Sequence, residues 1–376
     1  MLYWLLYEQL YPYFSPLRVF RYVTFRTAFA GLTALILCLV LGPWVIAKLR
    51  QLHVRQFIRP DGPKHHGKAG TPTMGGVLIV IAVAVPTLLW TNLTNPYVWI
   101  ALLGMLSFAA IGFWDDYLKV THKKNEGLSA RRKFLLQCLV AVLLGVCLLV
   151  LRAVGVYSTK INVPFFKGFQ PDLLMETLTR NPVTYPFAFV FFFAFLVLVL
   201  VGATNGVNLT DGLDGLAIGL MIIASAAMTV LTYTSGHAVF ATYLDLLRLP
   251  GAAELSIFCG ALTGAALGFL WYNTHPAEVF MGDVGSLALG GSLGIVAVLI
   301  KQEILLLFIG GVFVLETLSV ILQVASFKLR GRRIFKMAPL HHHFEALGWL
   351  ESKIIVRFWI AGLVMALFAL TTLKLR

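Results

Sequence analysis

The sequence predicts an all-α polytopic integral membrane protein with about ten transmembrane helices. Three observations carry this expectation. Of 376 residues, 59% are hydrophobic and only 12% charged, about half the charged share of soluble domains. Mean hydropathy is +0.84 over the whole length, which excludes a soluble domain on one anchor. Apolar runs of bilayer-spanning size recur from end to end with short connections. They lie at 23–47, 73–91, 97–114, 134–152, 186–203, 213–233, 254–272, 285–300, 304–327 and 354–373. The region 285–327 is open to a different division. No composition shift, low-complexity tract or short-period repeat marks a second unit, so 1–376 reads as one transmembrane domain.

The elements follow in order. Residues 1–22 are aromatic and amphipathic. Glu8, Pro12, Pro16, Arg18 and Arg21 interrupt any signal-peptide core, so the segment reads as interfacial, leading into the first span. Cys38, Cys138, Cys147 and Cys259 all sit in apolar runs without CxxC spacing. They read as reduced, buried thiols and not as a disulfide framework. Orientation comes from the basic residues. The loops after spans 1, 3 and 9, with Arg357 just beyond the last, hold 19 of the 30 Lys and Arg. The positive-inside rule then puts the loops after odd-numbered spans in the cytoplasm and both termini outside. The net charge of +13 is dispersed among spans. It points to loop topology and anionic lipid, not to nucleic acid.

Five aspartates fall in three loops assigned to that cytoplasmic side. Asp115 and Asp116 end span 3, Asp211 and Asp214 open span 6, and Asp283 opens span 8. Carboxylates at a membrane need partners, and the loops after spans 5 and 7 contain no Lys or Arg. A divalent cation would balance such a cluster. An oxygen-only ligand set points to Mg²⁺ or Mn²⁺, not zinc. Asp211 and Asp214 are three apart and share a helix face with Asn208 one turn earlier. Gly206, Gly212 and Gly215 permit tight turns there. Asp283, between Gly282 and Gly285, suits a helix N-cap, and a helix N-terminus also favours phosphate. Asp115 and Asp116 are adjacent, so on a helix they need not share one ligand.

Three further stretches are less specific alone. KHHGKAGTPTMGG (64–76) brings Lys68, Thr71, Thr73, Gly75 and Gly76 together as a phosphate-binding loop or a flexible basic one, without P-loop spacing. His341, His342 and His343 are consecutive, so they cannot all face one metal on a regular helix. They lack zinc spacing and suit anion recognition. Glu316 lies inside span 9 and suits a helix–helix hydrogen bond. Glu254 and Glu303 look interfacial.

Taken together, DDY at 115–117, NLTDGLDGLA at 208–217, FMGDVGSLALG at 280–290, GTPTMGG at 70–76 and MAPLHHHFE at 337–345 resemble the phospho-N-acetylmuramoyl-pentapeptide transferases, in order and over essentially the whole chain. The first three also resemble the wider polyprenyl-phosphate N-acetylhexosamine-1-phosphate transferases. The resemblance implies transfer of phospho-MurNAc-pentapeptide from UDP-MurNAc-pentapeptide to undecaprenyl phosphate, giving lipid I and UMP in peptidoglycan synthesis. It implies Mg²⁺, a homodimer, and work at the cytoplasmic face of the bacterial inner membrane. The active-site loops would be those near 48–72, 114–133, 203–214, 273–284 and 328–353. Asp115, Asp116, Asp211, Asp283, Lys68, His341 and His342 would carry the reaction. Asp283 would hold the metal, with Asp211 as the alternative ligand. Thr73, Lys133, Asn208, Gly212, Leu213, Asp214, Phe280, Gly282 and His343 would bind substrate, the 211–215 loop with Phe280 meeting uracil. A HexNAc-1-phosphate transferase is the nearest rival. A transporter is disfavoured, because the carboxylates sit at span ends on one side and not at the midplane.

Overall fold

The computed structural model describes residues 1–52, 70–122, 127–166, 169–174 and 185–373. The long helices are α1 (Val23–Gln51), α2 (Gly76–Trp90), α3 (Pro96–His122), α4 (Ala130–Ala153), α5 (Tyr185–Thr210), α6 (Leu216–Gly236), α7 (Leu255–Asn273) and α8 (Gly282–Leu299). Then follow α9 (Glu303–Ile309), α10 (Gly311–Arg330), α11 (Leu340–Ala346) and α12 (Glu351–Thr371). Among the described residues the strand-like pairing is one isolated bridge, Lys160 to Asp172. It closes a small turn in the expected outer loop, with Ile161 and Leu173 donating to Pro171 and Thr159.

Every expected apolar run is helical, with two differences. Among the described residues nine helices are long and apolar enough to span, while α2 has 15 residues, about 22 Å at 1.5 Å per residue. It starts late because the backbone of Pro72, Gly75 and Gly76 is bonded to Phe280 and Met281, and Met74 takes a φ of 69°. The ninth run divides at Gly310 into α9 and α10.

Helix α8 is the hub. It packs on α2, α3, α5, α6 and α9, and 89% of its span is buried. Its small residues permit this. Gly285 meets Gly76, Gly290 meets Ala203 and Thr204, and Gly291 meets Phe108. Without a hydrophobic force between spans in lipid, close backbone approach and van der Waals packing hold the helices. The pair α1·α7 is built likewise, with Gly264 against Gly31.

The two ends of the bundle differ in chemistry. At one end Arg26 holds Glu254 in a two-toothed pair of 2.8 and 2.7 Å, and its Nη1 also donates to the Trp90 carbonyl. The N-terminal ammonium donates to the Leu88 carbonyl at the same end, which docks the interfacial segment. Glu254 therefore sits in an ion pair. Glu303 is buried, 3.8 Å from buried Lys301. All four cysteines are free. Cys38 and Cys259 are buried, but Cys147 is exposed on α4, contrary to the expectation of four buried thiols.

Candidate active site

The opposite end gathers the predicted carboxylates. Asp115 and Asp116 lie in the last turns of α3, and Lys119 follows one turn later. Spacings of four and three put one ammonium against both acids: Lys119 Nζ lies 2.6 Å from Asp115 and 3.2 Å from Asp116. The same ammonium donates to Asp283 Oδ2 at 2.6 Å. Adjacent acids thus do share a cation here. Lys133, from the first turn of α4, adds a second contact to Asp283 Oδ2 at 2.9 Å.

Backbone groups aim the carboxylates. Asp115 Oδ1 accepts from Leu128 N–H at 2.7 Å, and Asp116 Oδ2 from Val284 N–H at 3.2 Å. Asn208, at the end of α5, donates to Asp283 Oδ1 at 2.7 Å and to Ser286 Oγ at 2.8 Å. Four helices meet at one aspartate, so bundle packing sets the cluster's geometry. Asp115, Asp116 and Asp283 each offer one oxygen within 4.8 Å of the others.

The GTPTMGG stretch has a structural task beside any ligand role. Phe280 N–H donates to the Pro72 carbonyl, and the Gly75 and Gly76 N–H groups donate to Phe280 and Met281. This pairing docks Thr73 beside the Asp283 turn. Gly282 has a φ of 71°, and a Cβ there would stand 2.6 Å from Asp116 Oδ2 and 3.0 Å from Thr73 Oγ1. Only glycine fits both the left-handed backbone and the space.

The 211–215 turn forms a second wall. Burial pushes the Asp211 carboxyl up to about 8, and the charges of Asp283, Asp116 and Asp214 add to the rise. Asp214 is buried and points away from Asp283, toward His275 Nδ1 at 3.1 Å and the Ala277 N–H. Glu351 Oε1 accepts the Asp214 N–H at 3.2 Å, and Asp214, His275 and Glu351 form a cluster of their own. Leu213 is buried. Phe280 lies in the segment bonded to Pro72, and Gly282 opens α8.

The three histidines diverge. His341 is buried, faces Glu316, and sets its Nε2 against Gly212. His342 Nδ1 pairs with Glu345 at 2.6 Å, and His343 Nδ1 accepts from Lys336 N–H. Lys68 lies outside the described residues. Lys119 was absent from the sequence-predicted site, although its spacing from Asp115 and Asp116 was readable. His275 and Glu351 carried no such local signal.

The arrangement combines convergent carboxylates, two ammonium groups and an amide at one end of a membrane bundle. Such a site handles polyanions and cations, the requirements of phosphoryl transfer. Comparison with known proteins agrees. Residues 98–301 match Glycosyl transferase family 4, and residues 68–80 match Phospho-N-acetylmuramoyl-pentapeptide-transferase signature 1. A Phospho-N-acetylmuramoyl-pentapeptide-transferase of Solibacter usitatus is 66% identical over 378 residues, covering 100% of both chains. Proteins of the same name from Koribacter versatilis and Acidobacterium capsulatum are 65% and 64% identical, again over 100% of both. The chain belongs to the phospho-N-acetylmuramoyl-pentapeptide-transferase family.

Proposed function

We propose that this protein transfers phospho-MurNAc-pentapeptide from UDP-MurNAc-pentapeptide to undecaprenyl phosphate, releasing UMP and forming lipid I. The reaction would take place at the cytoplasmic face of the bacterial inner membrane. The observation that carries the reading is the convergence of Asp115, Asp116 and Asp283 with Lys119, Lys133 and Asn208 at one end of the spans. A soluble polyanionic donor and a lipid phosphate can meet only at a membrane boundary. An apolar groove of about 280 Å³, lined by Phe195, Val199, Gly206, Leu293, Leu307 and Phe313, supports a polyprenyl chain as acceptor. It runs between α5, α8 and the divided α9–α10 toward the same end. The basic loops support the cytoplasmic orientation.

The oxygen-only donor set fits a hard divalent cation, and the Lys119 ammonium already marks a point where three carboxylates converge on one positive charge. Asp283 would hold Mg²⁺, with Asp211 as the alternative ligand. When bound, the ion supplies charge neutralisation for the pyrophosphate and the departing UMP. The protein's own groups do the rest. Lys68, Lys119, Lys133 and Thr73 bind phosphate oxygens. The 211–215 turn, with Asn208 and Phe280, orients the nucleotide. An oxygen of the lipid phosphate bonds to the sugar-bearing phosphorus, and the bond from that phosphorus to UMP breaks. A phosphate monoester with a second pKa of about 6 is mostly dianionic at neutral pH. Asp115 or Asp116 therefore acts more by orientation and charge than by taking a proton.

The test is UMP release with a short polyprenyl phosphate and Mg²⁺, UDP-MurNAc-pentapeptide and UDP-GlcNAc being run in parallel. UMP from the second donor alone would refute the assignment and favour a HexNAc-1-phosphate transferase. Trapping a phospho-enzyme with the nucleotide donor alone would replace direct attack with a two-step route through an aspartate. The reading includes a homodimer, which the exposed apolar side of α4 would accommodate; sizing in detergent measures it.

A further inference from the structure

Glu316 sits in the second turn of α10 with its side chain fully buried. A carboxylate inside an apolar span is costly and needs a specific partner. A simple helix–helix contact would bring another span's hydroxyl or amide to it. Instead Glu316 faces the 339–346 segment. Its Oε1 accepts the His341 backbone N–H at 3.2 Å and stands 3.3 Å from His341 Nδ1. Both contacts fall on one residue, so they hold the His341 backbone and the ring together.

The imidazole is also buried. Glu316 Oε1 stands beside Nδ1 outside hydrogen-bond geometry, so that nitrogen has no hydrogen-bond partner among the described residues, and neither has Nε2. That atom abuts Gly212, where any Cβ would overlap the ring. Gly212 follows Asp211 and leads to Asp214. The ring therefore backs the turn that the proposed function gives to the nucleotide.

We infer that Glu316 is a positioning residue: it fixes the His341 ring so that Nε2 packs on Gly212, and through it sets the 211–215 turn for the nucleotide donor. The inference rests on the transferase reading for the turn's ligand, but not for the geometry. A carboxylate beside Nδ1 favours by charge attraction the ring form protonated there. A glutamine keeps the size and one acceptor, but lacks the charge.

The wild-type protein gives the first test, without substrate. In ¹⁵N-histidine spectra, with His341 assigned by its absence in His341→Asn, Nδ1 must carry a proton. A bare Nδ1 would overturn the inference whatever the activity. The second test is kinetic. Glu316→Gln should raise the KM for the UDP-linked donor about 10-fold, the low end of the effect of losing such an orienting partner. The KM for polyprenyl phosphate should stay unchanged. In a His341→Asn background the same substitution should add nothing. A merely structural role would lower the folded fraction and hence Vmax, leaving the donor KM as it is; that outcome, or additive losses in the double variant, overturns the inference.

Discussion

Replacing Asp283 by asparagine removes one negative charge from the centre of the cluster and preserves the side chain's shape. Three carboxyl groups face two ammonium groups in the wild-type cluster. Asp283 Oδ2 accepts from both Lys119 and Lys133, and hydrogen bonds to charged groups are worth about 1.5–3 kcal/mol each. Losing two releases about 3–6 kcal/mol of positioning. At ~1.36 kcal/mol per tenfold of rate, that is about two to four decades of kcat. The fold bears part of this cost as well, because Asp283 is held by Lys119, Lys133 and Asn208 together. The expected thermal midpoint falls below that of wild type. The assay is UMP release from detergent-solubilised protein across a Mg²⁺ titration, with the midpoint read by tryptophan fluorescence. Activity within about threefold of wild type, at unchanged Mg²⁺ dependence, would refute the placement of Asp283 at the centre of the chemistry.

Three further outcomes are expected. Gly282→Ala forces a left-handed alanine, costing about 1–2 kcal/mol, and sets a methyl against Asp116 and Thr73. Its kcat should fall at least about tenfold, and wild-type turnover would contradict the tight turn. For Asp211, the folded group keeps its proton up to about 8, whereas the unfolded group loses it near 4. The folded state thus binds more protons over that range, and stability falls as pH rises from about 4 to about 8. Asp211→Asn, which mimics the protonated form, removes that contribution. The variant's midpoint advantage without divalent ions should therefore widen with pH, and parallel profiles would sink the assignment. Arg26→Met at the opposite end strands Glu254 and should cost about 3–5 kcal/mol of stability. Substrate KM values should not move in the protein that remains folded. A changed KM would mean that the two ends are coupled.

How much was legible in the sequence depended on the range of the interaction. Span existence and type are local properties, because lipid demands a continuous apolar helix wherever the chain crosses. Hence every apolar run reads directly as a helix. The short α2 did not, because it depends on what the backbone docks against, Phe280, and the break at Gly310 did not either. The carboxylates were visible because acids without nearby bases are rare at span ends. Their partners were not, since Lys133 belongs to another helix and reaches Asp283 only after α3, α4 and α8 pack. The histidine triplet shows the limit most clearly. By itself the sequence determined a helical membrane protein with chemistry at its span ends, because solvent and periodicity act within one segment. Only tertiary structure decided that His341 turns inward to Glu316 while His342 and His343 pair elsewhere. The direction of a side chain off a seven-residue helix is set by which groups pack against it, and those lie on other spans.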